Sequence, residues 1–114
     1  MVKPIIIKGT SDGNEYTLEF NRESVKFAES KGFIIEDVAR FPMTKVPELF
    51  FYAFRMHHKN VARDKTDKIL FEELGGIPNG MIERLGELYA QPFEALKVLD
   101  EGEERKNPTV TVEM

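Results

Sequence analysis

"EYTLEFNRESVKF", Glu15–Phe27, changes its hydrophobic period in mid-stretch. Tyr16, Leu18 and Phe20 alternate with Thr17 and Glu19, the two-residue repeat of a strand with one face buried. From Asn21 onward the spacing becomes helical. Asn21 is a good N-cap, and Phe20 and Val25 occupy the N′ and N4 positions of a hydrophobic staple. A strand therefore feeds directly into a helix, and the helix runs to about Lys31 before Gly32, a natural left-handed stop.

Upstream, "PIIIKG" (4–9) is β-branched and supplies a partner strand. "TSDGN" (10–14) lies between the two runs, and Asp12-Gly13 tolerates the positive φ of a tight turn. Pro4 lacks a donor N–H, which places the first strand at a sheet edge. The chain thus opens with a β-hairpin.

Helical patterns fill the middle. "GFIIEDVARFP" (32–42) predicts a short helix with Phe33, Ile34, Val38 and Phe41 as core contacts, closed by Pro42. Thr44 predicts a new N-cap, with Pro47 and Glu48 in the first turn of a helix from about Lys45 to Lys59. Its "LFFYAF" (49–54) is apolar on nearly every side, so it is either buried all round or docked to a partner on one face. A further helix spans about Lys65 to Leu74, presents Ile69, Leu70 and Leu74, and stops at Gly75-Gly76. The last has Ile82, Leu85, Tyr89, Phe93, Leu96 and Leu99 at helical spacing, with Pro92 kinking or dividing it. The expected fold is α+β and mostly α, a hairpin followed by four or five helices in one domain over residues 1–100. Residues 101–114 form a charged C-terminal segment. Its "TVTVE" (109–113) alternates like a strand able to pair with the hairpin edge, or else stays mobile.

Composition narrows the chemistry. The chain has 114 residues, 41% hydrophobic and 32% charged, which suits a single globular domain. No apolar run approaches the roughly 20 residues of a membrane span, and "MVKPIIIKG" lacks the cleavage site of a secretory signal. The absence of cysteine excludes disulfides and thiolate chemistry, and it fits a reducing cytoplasm. A net charge of −4, from 16 basic and 20 acidic residues, argues against a duplex nucleic-acid partner. "KNVARDK" (59–65) is locally basic, but acidic residues interrupt and follow it.

The two histidines, His57 and His58, are adjacent. Neighbours on a helix point about 100° apart, so the pair does not chelate one metal as an i, i+4 pair does. One histidine is expected to leave the helix C-terminus, where the dipole favours a cation, and the other to lie on the domain surface. Ser11, Ser24 and Ser30 sit in a turn or on a helix, without a nucleophile elbow. "GTSDG" and "GGIPNG" match no phosphate cradle, and "DKTDKILFEEL" is not a calcium loop. No catalytic residue, metal ligand or cofactor is expected. The conspicuous chemistry is aromatic, with 9 phenylalanines and 3 tyrosines, and a partner-binding or oligomeric face is expected among them.

Order and spacing over about residues 3–100 resemble the tail assembly chaperones of long-tailed bacteriophages and prophages. The likeness is carried by "DGNEYTLEF", "NRESVKFAESKGF", "FFYAFRMHHKNV" and "TDKILFEELGG", followed by a terminal amphipathic helix. The corresponding family features are a polar turn before Y-x-L-x-F and an apolar L-x-Y-A helix trailing into histidines. The resemblance implies a non-enzymatic helper in the host cytoplasm. It would coat the hydrophobic tape-measure protein, help recruit tail-tube subunits, form homo-oligomers and be absent from the finished virion. Helix-face packing would provide the contact, with Phe51 and Phe54, or the face formed by Leu85, Tyr89 and Phe93, as anchors. The alternatives are a head-tail connection adaptor retained in the particle and, less favoured, a small metal-dependent or hydrolytic enzyme centred on the histidines.

Overall fold

The computed structural model describes residues 2–96 and Glu113. Two short strands, β1 (Ile5–Ile7) and β2 (Tyr16–Leu18), pair antiparallel with Ile6 opposite Thr17. Five helices follow: α1 (Arg22–Ser30), α2 (Asp37–Arg40), α3 (Pro42–Phe54), α4 (Arg63–Lys68) and α5 (Met81–Ala90). The fold is α+β and mostly α. Residues 97–112, which include Leu99 and most of the charged segment, fall outside the described residues.

The strand-to-helix junction forms as its period dictates. Tyr16, Leu18 and Phe20 all point into the core. The Asn21 side chain accepts the Ser24 N–H at 2.8 Å, and the Ser24 hydroxyl accepts the Asn21 N–H at 2.9 Å. This reciprocal box satisfies two donors that the first helical turn would leave unpaired. At the other end Gly32 takes φ +84°, with Gly32 N–H bonded to Glu29 and Phe33 N–H to Ala28. That is the Schellman closure, and it turns Phe33 inward to pack.

The hairpin loop, residues 8–15, is longer than a minimal turn and is organised by one carboxylate. Asp12 accepts hydrogen bonds from the Thr10 hydroxyl, the Tyr16 hydroxyl and the Asn14 N–H. Lys65 Nζ of α4 lies 2.6 Å from the same group. Lys65 and the three donors hold the Asp12 carboxyl well below the usual carboxylate range. A local turn is thereby tied to a helix more than fifty residues away.

α3 is the central element. It contacts β2, α1, α2, α4 and α5, and Leu49, Phe50, Tyr52, Ala53 and Phe54 are all buried. The apolar run, apart from the half-buried Phe51, is therefore covered by the chain itself. Edge-on aromatic contacts link Phe50 to Phe54 at 5.2 Å, Phe33 to Tyr52 at 5.4 Å and Phe20 to Tyr89 at 5.0 Å. Such tilted pairs each add about 0.5–1.5 kcal/mol beyond the area they bury.

Several boundaries differ from expectation. Pro42 does follow the end of α2, but it opens α3 at once, because its fixed φ suits the first helical position. Thr44 is then internal rather than a cap. Pro47 lies in the helix body, where its missing N–H leaves the carbonyl of Met43, an exposed residue, to water. α3 ends at Phe54, five residues before Lys59. Ile34 and Phe41, expected in the core, are about half exposed, since α2 has only four residues and offers no continuous buried face. α4 starts at Arg63 and widens into a π-turn over Ile69–Glu73, with Leu74 N–H bonded to the Ile69 carbonyl at 2.8 Å. That wide turn keeps Ile69 and Leu70 buried while Phe71 and Leu74 reach solvent. Near Pro92, α5 gives way to a 3₁₀ segment, Gln91–Leu96.

Candidate partner-binding surface

The histidines close an edge of the sheet. After α3, the turns through Arg55–Met56 bring His58 beside β2, where its Nε2 accepts the Thr17 N–H at 3.0 Å. An accepting Nε2 carries no proton, so the ring is neutral with its hydrogen on Nδ1. Burial, with a smaller contribution from neighbouring His57, pushes the His58 pKa below its ordinary value. His57 Nε2 lies 2.9 Å from the carboxylate of Glu19, the residue just after β2. The Glu19 N–H donates to the Ala53 carbonyl at 3.0 Å. The helix end and both histidines thus run along the outer edge of β2. Among the described residues, no cluster of three or more His, Cys, Asp or Glu side chains is arranged to hold a metal ion.

The expected anchors divide by burial. Phe54, Leu85 and Tyr89 are interior side chains, with exposures of 1%, 0% and 2%. This corrects their assignment to a docking face: each is consumed by packing among α3, β2, α1 and α5. Burial also pushes the Tyr89 phenol up to about 12. Phe51 is half-buried on α3 beside Tyr52, with ring centroids 5.2 Å apart. Phe93 alone of the five stands in the open, 38% exposed, its ring 5.9 Å from Tyr89.

Phe93 sits where two clefts meet. One, of about 290 Å³, runs between α1 and the 3₁₀ segment and is lined by Arg22, Val25, Lys26, Glu29, Pro92, Phe93, Ala95 and Leu96. The other, of about 500 Å³, continues past Glu29 to Gly32–Glu36 and Tyr89. Leu96 and Ile34 project beside them, 76% and 53% exposed. The result is an apolar trough with Phe93 at its centre, flanked by Arg22 and Lys26 towards one end and Glu36 towards the other. Phe51 does not line it. The helical pattern placed Leu96 and Phe93 on a face continuous with Leu85. The tightening into 3₁₀ geometry near Pro92 breaks that continuity and turns both outward. The participation of Ile34 had no sequence signal, because its apolar neighbours Phe33 and Ile35 gave it the appearance of core.

A second groove, of about 460 Å³, runs beside β1 and is lined by Ile5–Lys8, Leu74, Pro78–Met81 and Arg84. A third cleft, of about 540 Å³, is polar; Lys26, Arg55 and Lys59 surround Phe27, and the Arg55 guanidinium stacks 3.6 Å above that ring. No described helix is long and apolar enough to cross a membrane.

Fold and surface together define a small, mostly helical α+β domain with a sealed aromatic core and apolar grooves on its outside. The chain belongs to the family described as Domain of unknown function (DUF5055), whose model matches residues 1–114. No curated protein and no solved structure matches it.

Proposed function

We propose that this protein is a non-enzymatic assembly chaperone of a long-tailed phage or prophage, binding the tape-measure protein in the host cytoplasm and promoting tail-tube assembly. The observation that carries the reading is the trough at Phe93. An apolar channel bordered by charged residues accepts the apolar face of an amphipathic helix, and tape-measure proteins are long helical chains of that character. The order of strand, capped helix, aromatic helix and terminal amphipathic helix supports the same assignment. An acidic surface suits a coat that must keep an apolar client dispersed.

Co-expression tests it. The tape-measure protein should be soluble with this chain and insoluble without it, and Phe93→Glu combined with Leu96→Asp should abolish the effect. A tape-measure protein equally soluble alone would remove the proposal. Purified particles should lack the chain; its presence there at fixed copy number would favour a head-tail adaptor instead.

A further inference from the structure

The trough at Phe93 carries opposite charge at its two ends, and the chain fixes which charge lies where. α1 forms one wall with Arg22, Val25, Lys26 and Glu29, spaced three and four residues apart and so on one helix face. The other wall runs the opposite way. Leu96 shares a cleft with Arg22, whereas Tyr89 shares one with Gly32–Glu36. Phe93 and Glu29 line both clefts and mark the middle. Arg22 lies about 10 Å from Glu29 along the helix, and Glu36 lies beyond it on the other side, past the turn at Gly32. Burial and, after it, the charges of Glu29 and Glu36 raise the Tyr89 phenol, so both carboxylates belong to the Tyr89 side. Exposed apolar side chains follow the same line: Leu96 at the cationic end, Phe93 in the middle and Ile34 at the acidic end.

A surface that is positive at one end, negative at the other and apolar along its length complements a copy of itself turned through half a revolution. We infer that two copies of the chain pair trough to trough about a two-fold axis passing near Phe93. In that arrangement Arg22 faces the partner's Glu36, Lys26 reaches the partner's Glu29, and Leu96 packs beside the partner's Ile34. Symmetry supplies the reciprocal contacts, and the two Phe93 rings meet at the axis. A net charge of −4 opposes indiscriminate self-association, so the local match selects the pairing. The trough offers fewer residues than the roughly 20–30 per side of a stable interface, so the dimer is reversible. The pairing stands apart from the client reading. Taken with that reading, it makes a second copy and a client alternatives at one site, and the dimer keeps the trough covered until a client displaces it.

Sedimentation equilibrium on the full chain tests it. The parent should show a reversible monomer–dimer equilibrium. Arg22→Glu with Lys26→Glu makes the trough acidic at both ends, and Glu29→Lys with Glu36→Lys makes it basic at both ends. Each variant alone should dimerise on the order of tenfold or more weakly than the parent, because like charges then meet. An equimolar mixture of the two should recover a one-to-one heterodimer of about parental affinity. All four side chains are exposed, so melting temperatures should stay near the parent's and report an intact fold. A parent chain that stays monomeric up to millimolar concentration overturns the inference, as does an assembly larger than two. Homodimers indifferent to both charge reversals, or a mixture that fails to pair, also overturn it. No tape-measure protein enters this experiment, so the dimer and the client reading fail separately.

Discussion

Thr17 and His58, 41 residues apart, are joined by a bond from the strand N–H to the imidazole Nε2. The neighbouring ring of Tyr16 packs edge-on against the same imidazole, with centroids 5.0 Å apart. The side chain that invites a catalytic reading is thus occupied as a backbone acceptor. Replacing His58 with Phe keeps the ring contacts but leaves the Thr17 donor without its partner. Stability in urea denaturation should fall by about 1–3 kcal/mol. Gln, which restores an acceptor, should recover part of the loss. A Phe variant as stable as the parent would show that water satisfies Thr17 equally well.

The same bond sets a pH dependence. The folded pKa of His58 is lowered, so as pH falls the unfolded chain takes up this proton first, beginning near its ordinary value of about 6.5. The contribution of His58 is intact above that pH and is lost as pH drops through the folded value. A positive charge on its ring would also face His57. Denaturation midpoints should therefore decline as pH falls below about 6.5, and His58→Gln should flatten that slope. An identical slope in the variant would assign the dependence to other groups.

Asp12 gives a second, more acidic transition. Its folded pKa is lowered by Lys65 and by the surrounding donors, so it stabilises the fold above the ordinary carboxylate value of about 3.9 and loses that contribution as pH falls further. Asp12→Asn should lower the melting temperature at neutral pH and make the loss below about pH 4 less steep. Lys65→Met should reproduce part of the neutral-pH effect. A variant that melts with the parent across this range would sink the view that one carboxylate organises the loop.

Core and surface aromatics should separate cleanly. Phe54→Ala opens a fully buried site on α3 and should cost about 3–5 kcal/mol of stability. Phe93→Glu removes a part-exposed ring whose main aromatic neighbour is Tyr89, and should cost about 0.5–1.5 kcal/mol, well short of the Phe54 loss, while eliminating client binding. If Phe93→Glu unfolds the domain, the trough is structural rather than a docking face.

The sequence made the architecture legible wherever period and capping agreed. Asn21, Gly32 and the Tyr16–Leu18–Phe20 alternation each performed the role that local physics assigns. It misled where a residue's role depended on a distant element. Pro42 reads equally well as a stop or a start, and only the placement of α3 against the hairpin decides which. The aromatic run Leu49–Phe54 looked excessive for one small domain because its sequence does not reveal that five elements surround it. The candidate surface was the least legible part. Phe93 was visible within a helical period, but its exposure follows from the 3₁₀ tightening near Pro92, and Ile34 joins it only because α1 ends in a Schellman turn at Gly32.

The Thr17–His58 closure also has a consequence during synthesis. The outer edge of β2 leaves the ribosome well before the helix end and histidine that cover it. At typical elongation of about 5–20 residues per second, the separation of 41 positions corresponds to a delay of about 2–8 s. For that interval this edge of the nascent hairpin stands open. Slower translation of the codons for residues 18–58 should therefore lower the soluble yield without any change in the protein encoded.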